Sequence, residues 1–318
     1  MGHCAGDLAA GERDRMSGRW TRLSALRVLF ASIIFVVPLS IQQAFADVTL
    51  TQAGGESLVL QAPAKRIITL APNLAELVFA AGAGDYLLAV VEYSDFPPPV
   101  KQIPKVGDAF RIDMERVMEL EPDLVIAWKT GNPQSALQKL GQLGITIWQV
   151  EIDQPAQIAD TVEAIAMAAG TGAQGRAVAE KLRDRLATLV QENAGKEPVD
   201  YFYQIASKPL YTVNGQHIIS RSLEICGGHN VFSALPSLAP QVSHESVILA
   251  DPQALIAPQV PGEPPALEHW NEWPGLQAVS NKSLLYLPAD DISRAAPRLL
   301  NSIEVACKLL DKVRGNGS

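Results

Sequence analysis

The sequence predicts an α/β protein of two lobes, each built on a mostly parallel sheet, joined by one long helix. Three features carry that prediction. Short β-branched runs alternate with helical patterns from Lys65 onward, one uninterrupted helical stretch follows Gly175, and a segment of the first half recurs weakly in the second. Alternating strand and helix signals mean βα units around a parallel sheet. With 318 residues, 47% apolar and 19% charged, the chain can bury two sizeable cores and is not globally disordered.

Residues 1–46 read as an export signal. Arg19, Arg22 and Arg27 precede an apolar run over 28–41, and Ala44-Phe45-Ala46 closes it in a small-x-small pattern before Asp47. The run contains Ser32 and Pro38 and is short for a membrane anchor, the competing reading. Acidic and small residues before Met16 fit a signal poorly, which makes Met16 a candidate start. Cleavage removes five arginines and three acids, leaving the mature chain about two charges more negative than the −8 of the whole sequence. That charge suits a protein free in an extracytoplasmic space. No cysteine lies near the cleavage site to carry a lipid anchor.

The first lobe is expected over 47–171. Strands are expected at 66–70, 87–91, 124–128 and 145–150, with a helix from Asn73 as cap to Gly82 as stop. From Gly172 to about Asn193, Val178, Leu182, Leu186, Leu189 and Val190 recur at helical spacing, with charged residues on the other faces. No Gly or Pro follows Gly175 for several turns, so 172–196 is assigned as a connecting helix of roughly 30 Å. The second lobe is expected over 197–318, with strands at 201–205, 210–213, 254–257 and 284–287.

The internal repeat aligns Glu115, Val117, Pro122, Ile126 and Ala127 with Glu245, Val247, Pro252, Ile256 and Ala257. Both copies read as a helix, a Pro break and a buried strand. A generic helix-turn-strand rhythm is the alternative; if the repeat is real, Glu115 and Glu245 are equivalent points on two lobes.

Chemistry is constrained mainly by exclusion. There are 26 basic and 34 acidic residues, and no basic footprint for nucleic acid. No nucleophile elbow, P-loop or dinucleotide fingerprint occurs, and His244-Glu245 lacks the second histidine of a zincin helix. The mature histidines, His217, His229, His244 and His269, all follow the long helix, which disfavours a metal gripped by imidazoles from both lobes. Export removes Cys4 and leaves Cys226 and Cys307 in an oxidising compartment. A bridge between them would close about 80 residues and stabilise by about 4 kcal/mol; two separate buried thiols are the alternative.

Large and polar residues cluster at strand ends, where open α/β sheets place ligands. Tyr93 and Asp95 precede Pro97-Pro98-Pro99, Trp128 ends the most apolar strand, Tyr211 follows Lys208-Pro209, and Asp290, Asp291, Ile292, Ser293 and Arg294 follow the last strand. Flat rings offer apolar area to a broad planar ligand, while Asp and Arg pair with its amide or acidic edges. Core packing is the competing reading for each aromatic taken singly.

Several stretches carry a family resemblance. They are Arg66-Ile-Ile-Thr-Leu-Ala-Pro72 with Glu76-Leu77, Tyr93-Ser-Asp-Phe-Pro-Pro98, Met114-Glu115-Arg-Val117 and Pro122-Asp-Leu-Val-Ile-Ala-Trp128. Later come Leu223-Glu-Ile-Cys226-Gly-Gly-His-Asn-Val-Phe232, Pro240-Gln-Val-Ser-His-Glu245 and Arg294-Ala-Ala-Pro-Arg298. In this order they resemble the periplasmic cobalamin-binding proteins of ABC importers. The resemblance implies two Rossmann-like lobes, a rigid connecting helix and a corrinoid held in the cleft between lobes with little hinge closure. It implies ligand contacts from Tyr93, Trp128, Tyr211 and the Asp290–Arg294 turn, and a Cys226–Cys307 bridge. It also implies a periplasmic, monomeric carrier with no cofactor and no enzymatic activity, docking on a permease dimer through Glu115 and Glu245. Where the family has two further cleft tryptophans, this chain has Ala109 beside Phe110, and Ala239. Phe110 is expected to compensate for the first, and Trp270 and Trp273 either to lean over the cleft or to pack on the surface. A ferric siderophore or haem, with Tyr93 as axial ligand, is the alternative cargo; an enzyme on the same fold is the third reading.

Overall fold

The computed structural model describes residues 47–316; the expected export signal lies outside them. A hairpin of β1 (Val48–Thr51) and β2 (Ser57–Leu60) leads into the first βα units. β3 (Ile67–Thr69) is followed by α1 (Pro72–Ala80), β4 (Leu87–Ala89), α2 (Met114–Glu119), β5 (Leu124–Trp128), α3 (Gln134–Gln142), β6 (Ile147–Val150) and α4 (Gln157–Ala169). β5 is buried along four of its five residues, as a strand covered on both faces must be. The four parallel strands lie in the order β4-β3-β5-β6.

Asn73 is not the cap of α1. Ala71 takes the extended cap conformation and Pro72 occupies the first turn, where its fixed φ suits a helix start and its missing N–H costs nothing. Gly82 ends the segment with a left-handed backbone, φ 74°.

α5 (Gly172–Asn193) runs unbroken for 22 residues, about 33 Å. It packs on α4 so closely that a side chain at Gly175 would run into Ala166. After it come β7 (Val199–Tyr203), the hairpin β8 (Ala206–Ser207) and β9 (Leu210–Tyr211), α6 (Ile218–Ile225), β10 (Gly228–Asn230), α7 (His244–Ala250) and β11 (Ala254–Gln259). The chain ends with α8 (Gln277–Ser280), β12 (Leu284–Pro288), α9 (Ala289–Ile292) and α10 (Leu299–Asn316). The second parallel sheet has the order β10-β7-β11-β12.

Each sheet therefore places its own second, first, third and fourth strands side by side. The weak sequence repeat coincides with this match. Glu115 and Glu245 both occupy the second position of their helices, behind the caps Asp113 and Ser243. Val117 and Val247 are both fully buried. Glu121 and Asp251 both adopt left-handed backbones, φ 42° and 43°, immediately before Pro122 and Pro252. In both copies the chain stops a helix and enters the third strand by the same turn.

One apolar core runs without a break from Leu74, Leu77 and Val162 through Leu189 to Tyr201, Ile256, Leu300 and Leu310. Arg185 of α5 also pairs with Glu304 of α10 at 2.6 Å. Cys226, at the end of α6, is bridged to Cys307 of α10 across a sequence separation of 81.

Candidate cleft between the lobes

A cavity of about 460 Å³ opens at the carboxyl ends of the first sheet. Pro72, Asn73 and Leu74 reach it from the β3 end, Tyr93 from beyond β4, Trp128 and Thr130 from β5, and Val150 to Asp153 from β6. The opposite wall is Gln216, His217, Ile218, Leu238 and the turn from Ala289 to Ala295. This is where an open parallel sheet, with β3 and β5 adjacent at its switch point, presents loops rather than side-chain core.

Of the eight ligand residues expected from the sequence, five lie together on this cavity: Tyr93, Trp128, Asp290, Ser293 and Arg294. The other three do not line it. Tyr211 is half-buried in the β8–β9 hairpin and bridges to Gln241. Asp291 turns to Arg298, 3.2 Å away. Ile292 has no exposed surface and packs in the core, because consecutive residues of the short α9 face different ways. Phe110 is 73% exposed and does not line this cavity. Ala239 is also exposed, but its neighbour Leu238 supplies apolar wall instead. Trp270 neither overhangs the cleft nor lies on the surface. It is fully buried in the second lobe, where its indole N–H donates to Gln204 at 2.8 Å.

Trp128 is held from three sides. Its indole N–H donates to Glu151 at 3.1 Å, and Thr130 fixes the same carboxylate through its N–H and hydroxyl at 3.0 and 3.1 Å. The ring lies over Gly131, where any added side chain would collide with it. Behind it, the buried Asn132 accepts from the backbone N–H of Trp128 and donates to the carbonyls of Leu70 and Ala109, tying three loops together. Tyr93 is 79% exposed at the mouth and has a left-handed backbone, φ 64°, unusual for a residue with a ring.

Arg294 stands at the meeting of the lobes. Its guanidinium donates to Glu76 (3.1 Å), Asp95 (2.6 Å), Asp290 (3.3 Å) and the carbonyl of Tyr93 (3.3 Å). Burial alone would raise the Asp95 carboxyl, but the hydrogen bond and charge of Arg294, with Arg298 behind it, bring it below the usual range. Burial likewise opposes the charge on both arginines; Asp95 and Glu76 outweigh it at Arg294, and Glu76 and Asp291 at Arg298. Arg298 grips Glu76 through two bonds and stacks over Phe96, 4.2 Å from the ring centre. Asp95 was among the strand-end residues expected at a cleft, whereas Glu76 and Arg298 were not expected here. A carboxylate among Leu74, Ala75, Leu77 and Val78 was the available signal, since a buried acid needs a partner.

Among the described residues there is no cluster of three or more His, Cys, Asp or Glu placed to hold a metal ion, and no helix long and apolar enough to cross a membrane. The arrangement offers ring faces and carboxylates to a broad ligand.

Residues 67–290 match the periplasmic binding protein family. The chain is 39% identical over 250 residues to a vitamin B12-binding protein of Vibrio cholerae, covering 78% of this chain and 90% of that one. The crystal structure of a periplasmic vitamin B12-binding protein from Vibrio cholerae superposes with a TM-score of 0.73 at 37% identity, over 79% of this chain and 98% of that one. A periplasmic haem-binding protein of the same species shares the fold at 21% identity and a TM-score of 0.67, over 77% of this chain and 98% of that one. The protein described here belongs to the periplasmic binding protein family.

Proposed function

We propose that the protein captures cobalamin or a closely related corrinoid in the cleft and delivers it to an ABC importer. The observation that carries this reading is the convergence of Tyr93, Trp128, Asp290 and Arg294 from both lobes on one hollow. Relatives more than a third identical, named for vitamin B12, support the same cargo. A cavity of about 460 Å³ is smaller than a whole corrinoid, so part of the ligand would stand out of the mouth beside Tyr93. Glu115 and Glu245 are the proposed permease contacts. Both are exposed at matching positions on matching helices, as one two-fold partner would require. The carrier is proposed to act as a periplasmic monomer after removal of residues 1–46, with lobes divided as 47–171 and 197–318 around the 172–196 connector.

Titration with cyanocobalamin, followed by Trp fluorescence or calorimetry, tests the cargo. Binding tighter than about 10 μM is expected. Haemin or a ferric siderophore binding in its place would transfer the assignment to the alternative cargo, and the visible spectrum distinguishes corrin from haem.

A further inference from the structure

Several donors on the cleft wall are already in use, while the side chains of Tyr93, Gln216 and Ser293 also line it. Arg294 is shared among four acceptors, the Trp128 indole N–H and the Thr130 hydroxyl go to Glu151, and the Asn73 amide donates to the carbonyl of Ala295. His217 is different. It lines the cavity directly before α6, and its Nδ1 accepts from the N–H of Ile219 at 3.2 Å, which makes it the cap of that helix. Nδ1 must then carry a lone pair, so the proton of the neutral ring sits on Nε2. No group among the described residues bonds Nε2.

We propose that His217 is a ligand-contacting hydrogen-bond donor, offering Nε2–H to an amide or carboxylate oxygen at the rim of the bound macrocycle, and that it does not ligate the ligand's metal. The inference rests on the corrinoid reading and deepens it. Ligation through Nε2 would require that nitrogen's lone pair and would send the proton to Nδ1. Two hydrogens would then face each other between His217 and Ile219, and α6 would lose its side-chain cap. Charging the ring instead would put a proton on the same Nδ1, and burial already opposes it. The cap thus fixes the imidazole as a donor. A rim decorated with amides supplies the matching acceptors.

The test compares the wild type with His217→Asn and His217→Gln, using cyanocobalamin, dicyanocobinamide and aquocobalamin as probes. Asn is a strong cap but too short to reach the ligand, so the thermal midpoint should hold while affinity for all three probes falls about tenfold. His217→Gln restores a long donor and should recover part of that loss, which a capping role alone would not produce. Bound aquocobalamin should keep the visible spectrum of the free form in every protein. A shift to an imidazole adduct in the wild type that disappears in His217→Asn would overturn the proposal, as would wild-type affinity in His217→Asn at an unchanged midpoint. Should the wild type bind haemin and no corrinoid, the cargo assignment itself fails, an outcome separate from both.

Discussion

Glu76 and Arg298 meet across the two lobes in a two-point ion pair, with the carboxylate oxygens 2.7 and 2.9 Å from the guanidinium nitrogens. Glu76 comes from α1 of the first lobe and its side chain is 2% exposed, while Arg298 precedes α10 of the second. A second guanidinium, that of Arg294, shares the same carboxylate.

Removing the acid takes the most buried carboxylate from two arginines at the lobe junction, leaving them Asp95, Asp290 and Asp291. Glu76→Ala is expected to lower unfolding stability by about 3–5 kcal/mol, read as a shift in urea midpoint. Glu76→Gln, which keeps the shape and one acceptor, should lose less. An effect under 0.5 kcal/mol for both would mean that the pair contributes nothing to holding the lobes.

Trp128 should depend on its support. Trp128→Ala is expected to weaken cyanocobalamin binding by about tenfold or more. Glu151→Ala and Gly131→Ala should each weaken it without touching the ligand's main contact area, the first by freeing the indole and the second by displacing it. Glu151→Gln, which still accepts from the indole, should behave nearly as the wild type; calorimetry reads all four.

The bridge between α6 and α10 is expected to contribute about 4 kcal/mol. Cys226→Ser/Cys307→Ser, or reduction of the wild type, should lower the urea midpoint accordingly while leaving the cleft residues in place.

Acidification should destabilise the protein through His217. Burial holds its folded pKa below the usual value, so below about pH 6.5 the unfolded chain takes up a proton that the folded chain resists. Stability then falls as the pH drops from neutral through 6.5 toward that lower value. His269 is lowered by burial and by the nearby His244, and acts in the same direction. The urea midpoint between pH 7.5 and 5.5 should have a shallower slope in His217→Asn.

Docking is tested by Glu115→Ala/Glu245→Ala, which should abolish corrinoid uptake by cells yet leave the affinity of the purified protein intact. Uptake at wild-type rates would remove both glutamates from the docking role.

What the sequence made legible was local. Strand runs such as Leu124–Trp128 and the whole of Gly172–Asn193 announced themselves through burial pattern and unbroken helical spacing. The repeat was faint in residue identity yet marked in structure, because two left-handed turns before proline reproduce one path. The cleft was legible in part, since strand ends gather ligand groups, but which face a turn residue takes is set by packing. Ile292 and Asp291 went inward for that reason, and Tyr211 stayed with its hairpin. The Glu76–Arg298 pair is 222 residues apart, and only folding brings its halves together.

The unbroken core through α5, with the ion pair at the lobe junction, has a consequence for traffic. On the proposed reading, a carrier whose lobes share one core would present the same face to an importer whether full or empty. Vacant copies would then compete with laden ones for the gate, and delivery should slow whenever carriers outnumber their cargo.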